Sequence, residues 1–89
     1  MRIIEGFRLR NVLGQATIIG EGINQVNFNK IITLNSSAEF LWKEIEGKDF
    51  NIEMLACLLV NKYGIDIAHA RDDAKSIAEK WIESGLVRD

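Results

Sequence analysis

This chain has no proline, one cysteine and one histidine. It also lacks any run of about 18 apolar residues, the length a membrane-spanning helix needs. Without proline there is no Pro-rich linker to divide it, and no repeat or low-complexity segment is present. A single cysteine excludes an intramolecular disulfide. Cys57 lies between Ala56 and Leu58 in a helical pattern, so it is expected as a buried structural thiol. His69 is far along the chain from Cys57, so no zinc-ligand spacing exists and no metal or cofactor is expected. Net charge is small as well, at −2 over 89 residues. It is unevenly spread. Arg2, Arg8, Arg10 and Lys30 outnumber Glu5 and Glu21 in residues 1–35, while acidic residues prevail in the rest. An acidic C-terminal part argues against nucleic acid as the main partner.

The length fits one domain over residues 1–89, with a thin core. Glu5 and Gly6 interrupt any signal-like apolar run, so a cytoplasmic location is expected. Phe7–Val12 alternates in character and reads as a half-buried strand. Gly14 marks a turn, and Gln15–Gly20 is a second strand with β-branched residues. Gly20-Glu21-Gly22 opens a connection. Asn27–Leu34 reads as a third strand, and short connections favour an antiparallel meander over residues 1–34.

The helical part occupies residues 35–89. Asn35 and Ser36 both suit a helix start, and Glu39 is placed to close a capping box with Ser36. The first helix is expected over Ser37–Glu46, with Gly47 as its stop. Asn51 caps the second helix, with Phe50 and Leu55 spaced as a hydrophobic staple. Ile52, Leu55, Ala56, Leu59 and Tyr63 form its apolar stripe, and Gly64 ends it. Asp66 caps a third helix over Ile67–Ser84 whose apolar face runs through Ala70, Ala74, Ile77, Ala78, Trp81 and Ile82. Gly85 supplies the left-handed residue after it and Leu86 folds back. Trp42 and Trp81 are read as core anchors, because a thin core needs large buried side chains. The class is α+β. A three-stranded antiparallel sheet precedes a three-helix bundle, in a winged helix-turn-helix-like arrangement.

Ile32-Thr-Leu-Asn-Ser-Ser-Ala-Glu-Phe-Leu-Trp42 resembles the Leu-Asn, small residue, Leu/Ile-Trp pattern of the PqqD family. Glu46-Gly47, Tyr63-Gly-Ile-Asp66, Glu83-Ser-Gly-Leu-Val87 and the opening Gly6-Phe-Arg-Leu-Arg10 follow the order and spacing of that family. The resemblance spans nearly the whole chain. One departure is Ile67, where many relatives have a proline that preorganises the helix start.

The resemblance implies a peptide chaperone, a recognition element for ribosomally made peptides that are modified after synthesis. Such domains bind the leader of a precursor and present it to a maturation enzyme, often a radical S-adenosylmethionine enzyme. The leader adds as a strand beside the third strand and lies against the third helix. Free edge groups can pair with such a peptide, which makes Asn27, Asn29, Lys30, Ile31 and Thr33 candidate peptide-binding residues. Arg71, Lys75, Ala78 and Ile82 form one stripe on the third helix and are candidates for the opposite wall.

Catalysis finds no support in the pattern. Ser36 and Ser37 have no partnered base. Asp72 and Asp73 diverge by about 100° on a helix, and no loop resembles a phosphate cradle. A winged-helix DNA-binding regulator and a structural subunit docking on a larger enzyme remain as alternatives.

Overall fold

The computed structural model of the chain describes residues 1–20 and 31–88. Its elements run β1 (Arg2–Ile3), β2 (Phe7–Val12), β3 (Gln15–Gly20), β4 (Ile31–Thr33), α1 (Ser36–Ile45), α2 (Ile52–Tyr63), α3 (Ile67–Glu83) and β5 (Val87–Arg88). β2, β3 and β4 form an antiparallel sheet in that order, and the three helices follow. The α+β class and its three-strand, three-helix order hold. The first four residues of the expected third strand, 27–30, lie outside the described residues, as does the connection from residue 21.

One sheet was not legible. β1 pairs with β5, Arg2 opposite Arg88 and Ile3 opposite Val87. Two-residue strands carry too little alternation to be seen in a sequence. They are held from several sides. The Ile4 N–H donates to the Leu86 carbonyl at 2.9 Å, and the Phe50 N–H donates to the Met1 carbonyl at 2.7 Å. The Arg2 guanidinium reaches Asp49 at 3.2 Å and the Gly47 carbonyl at 3.1 Å.

The first helix starts one residue earlier than expected. Asn35, not Ser36, is its cap, and the Asn35 side-chain oxygen accepts from the Ala38 N–H at 2.9 Å. Ser36 is therefore the first helical residue. Glu39 is displaced from the capping-box position and pairs with Lys43 at 3.1 Å instead. The correction is testable. Asn35→Ala should cost about 1 kcal/mol and Ser36→Ala much less, read as the shift in urea midpoint. The opposite ranking would restore the box.

The other helix ends fall as the sequence reads. Asn51 accepts from the Met54 N–H at 2.8 Å, and Asp66 accepts from the Ala68 and His69 N–H groups. Gly64 ends α2 in the left-handed region at φ 66°. At the end of α3 the Leu86 N–H bonds to the Trp81 carbonyl and the Gly85 N–H to the Ile82 carbonyl. These are the paired bonds of a Schellman ending. That ending turns the chain back and buries Leu86.

The core joins the inner sheet face, through Phe7 and Ile18, to all three helices. Trp81 sits between two rings, edge-on to Trp42 at 5.3 Å and to Phe50 at 6.2 Å. Both tryptophans are core anchors, as expected. Ala70, Ala74 and Ala78 give α3 a small-residue face toward the core, and α2 packs along α3. Two expectations fail here. Cys57 is exposed on α2 rather than buried. Tyr63 is largely exposed and packs edge-on to Phe40 at 6.3 Å, outside the stripe assigned to it.

Candidate functional site

β4 is the third strand in the order and bonds only to β3 among the described residues. Its free side can be worked out from register. Thr17 opposes Thr33, Ile18 opposes Ile32 and Ile19 opposes Ile31. The Leu34 N–H donates to the Ala16 carbonyl at 2.9 Å. Antiparallel pairs alternate between bonded and non-bonded. The bonded pairs are therefore Ala16–Leu34 and Ile18–Ile32. The backbone N–H and C=O groups of Ile31 and Thr33 consequently point away from β3, to the open edge. Ile31 is also 66% exposed.

A groove runs beside this edge. Its apolar part, about 190 Å³, is lined by Ile32, Leu34, Ala38, Ile77 and Trp81, with Thr33, Lys80, Glu83 and Ser84 at the rim. Asn35, Ile77 and Lys80 also line a larger depression of about 410 Å³ that reaches Tyr63, Ile65 and His69. The two share these three residues. In the larger part His69 Nε2 lies 3.3 Å from Asp73. The result is a pair of neighbouring depressions with an apolar centre, Lys80 between them and, on one wall, the Ile31 and Thr33 backbone groups, which pair with no other strand among the described residues.

This arrangement changes the helix residues assigned to the site. Ile77, Lys80, Trp81 and Ser84 face β4. Arg71 and Lys80 are nine positions apart, about half a turn around the helix, so the Arg71–Lys75–Ala78–Ile82 stripe belongs to the other flank. Arg71 clasps Glu53 of α2 with bonds of 2.8 and 3.3 Å. That hydrogen bond, and then the Glu53 charge, hold the guanidinium above its ordinary pKa. Ala78 is 1% exposed and offers no surface to a ligand. Lys75 and Ile82 are exposed, away from the groove. Asn27, Asn29 and Lys30 lie outside the described residues.

Ile32, Ile77, Lys80, Trp81 and Ser84 line the groove but were not among the candidate residues. An apolar helix stripe has two polar flanks. Spacing alone does not say which flank meets the sheet. The one usable signal was Ile77 with Trp81, an apolar i, i+4 pair at the margin of the buried face.

Other chemistry is sparse. Among the described residues no group of three His, Cys, Asp or Glu side chains is placed to hold a metal ion. No described helix is long and apolar enough to cross a membrane.

Comparison with known proteins follows the same direction. The profile of the family described as Coenzyme PQQ synthesis protein D (PqqD) matches residues 14–87. No curated protein matches the chain. A solved structure titled "TbiB1 in Complex with the TbiA(beta) Leader Peptide" is similar in fold, with a TM-score of 0.75 at 14% identity and full coverage of both chains.

Proposed function

Because this chain belongs to the PqqD family, we propose that it is a non-catalytic adaptor for a ribosomally made precursor peptide. It binds the leader as an added strand along β4 and presents the rest to a modifying enzyme of the radical S-adenosylmethionine class. The observation that carries this is the open edge at Ile31 and Thr33 beside the Ile77–Trp81 groove. An extended peptide there satisfies the free N–H and C=O groups, while alternate side chains enter the groove. Backbone pairing supplies affinity without regard to sequence. The apolar centre and Lys80 then select an aliphatic or aromatic residue accompanied by an acidic one. The similar structure solved with a leader peptide supports the same reading.

Nucleic acid fits this surface less well. α3 carries Arg71, Lys75 and Lys80 against Asp72, Asp73, Glu79 and Glu83, and an acidic helix is a poor entrant to a major groove.

Titration with synthetic leader peptides of ribosomal precursors tests the proposal, with backbone amide resonances as the readout. Ile31 and Thr33 amides should shift and gain hydrogen-exchange protection, together with shifts along Ile77–Ser84. If Ile31, Thr33 and Ile77–Ser84 stay unchanged at saturating leader, the groove is not the binding site.

A further inference from the structure

β2 and β3 are joined through Leu13 and Gly14, with Val12 directly opposite Gln15. Both loop residues have positive φ, 52° at Leu13 and 83° at Gly14. A two-residue turn of this kind favours Asn-Gly or Asp-Gly, because a side chain with a Cβ is strained in the left-handed region. Leucine is a poor choice on conformational grounds. It is equally poor on solvation grounds, since Leu13 is 99% exposed and Val12 beside it is 41% exposed. The tip is nevertheless fixed. The Asn11 side-chain oxygen accepts from the Gly14 N–H at 3.0 Å, so the turn presents Leu13 in one orientation.

A strained, rigid and fully exposed apolar residue is a place to look for function. We propose that the β2–β3 tip docks this adaptor onto its modifying enzyme. Leu13 enters an apolar pocket of that enzyme, Val12 packs at the pocket mouth, and Arg8 meets an acidic rim. Alternation along β2 puts Arg8 on the same face as Val12, and Arg8 is exposed. The inference rests on the adaptor role proposed above.

Three observations favour an enzyme over other occupants. A second copy docked tip to tip would join only two Leu13 side chains and two Val12 edges, too little area for a stable dimer. A bilayer would receive one leucine and the edge of a valine, too little apolar area to hold the domain. Position is the third. Thr17 of β3 opposes Thr33, so the Gln15 end of β3, where the tip lies, neighbours the Thr33 end of β4. A strand added on β4 would run about 10 Å from β3. An enzyme holding the tip therefore sits beside one end of the leader.

The test uses the full chain, synthetic leader peptides and a purified radical S-adenosylmethionine maturase from the same organism. Leu13→Asn installs the favoured turn sequence. It should raise Tm by about 4 °C, leave leader affinity unchanged and weaken enzyme binding by at least about tenfold. Leu13→Met should restore most of that binding. The proposal is overturned if Leu13→Asn binds enzyme as tightly as the wild type. It also falls if the chain binds leader but no enzyme, or if Leu13-dependent binding is found only to phosphatidylglycerol vesicles. Loss of enzyme docking in Leu13→Asn with no leader binding in any variant would sink the groove and leave the tip standing.

Discussion

Thr33→Pro should lower leader affinity by about 30-fold while the domain stays folded. The Thr33 N–H points to the open edge of β4, so proline removes a donor that β3 does not use. Proline is tolerated on an edge strand when its nitrogen faces outward. A leader strand would meet a ring where it needs a donor, and one of its carbonyls would be left unpaired. A buried acceptor without a partner costs about 1–3 kcal/mol, and about 2 kcal/mol corresponds to the stated factor. Ile32→Pro is the contrasting variant. Its N–H belongs to the β3 ladder, so that substitution should unfold part of the sheet. Trp81 lines the groove, which makes its fluorescence a convenient binding signal. Wild-type affinity in a folded Thr33→Pro protein would rule out strand addition on this edge.

Trp42→Ala should cost about 3–5 kcal/mol, the largest loss of stability from any one side chain. A domain of this size has about 5 kcal/mol to lose, so the variant should be largely unfolded near its growth temperature. Trp42 is fully buried and packs edge-on to Trp81 at 5.3 Å and 88°. That geometry adds about 0.5–1.5 kcal/mol beyond area. Against it stands Trp42 Nε1, which is buried and finds no acceptor among the described residues. Trp42→Phe removes the unpaired donor and keeps much of the ring, so it should cost only about 1–2 kcal/mol. Urea unfolding with both variants separates the two contributions. A Trp42→Phe loss well above about 2 kcal/mol would mean that the indole N–H has a partner after all.

The sequence was most informative where local chemistry decides structure. Asn51, Asp66, Gly64 and Gly85 mark helix ends through groups within a few residues of themselves, and each is where the pattern places it. Gly14 likewise marks the hairpin. Asn35 and Ser36 are adjacent good caps, and only the backbone angles of the folded chain choose between them. The failures come from long-range packing. β1 meets β5 across nearly the whole chain, and neither is long enough to show a period. Cys57 lies about 100° around α2 from Ala56, off the buried face, and Tyr63 has the heading of that face but sits on the last residue of the helix, past the core. The flank of α3 that lines the groove was hidden for the same reason. Which flank of α3 meets β4 depends on how the helices cross, which no local pattern records.

The Schellman ending of α3 has a thermodynamic consequence. One groove wall comes from residues 31–34 and the other from residues 77–84, and the chain between them holds α1, α2 and the first part of α3. A ligand that touches both walls therefore closes a loop of more than forty residues without a covalent bond. The second wall is held at its far end by the Leu86 turn-back, which ties it to the core through buried Leu86. Leader binding and global folding are then one coupled equilibrium. Leader at 100 times its dissociation constant adds about 2.7 kcal/mol to stability, a substantial fraction of what the thin core supplies alone. The adaptor would be most resistant to unfolding and proteolysis while it carries its peptide.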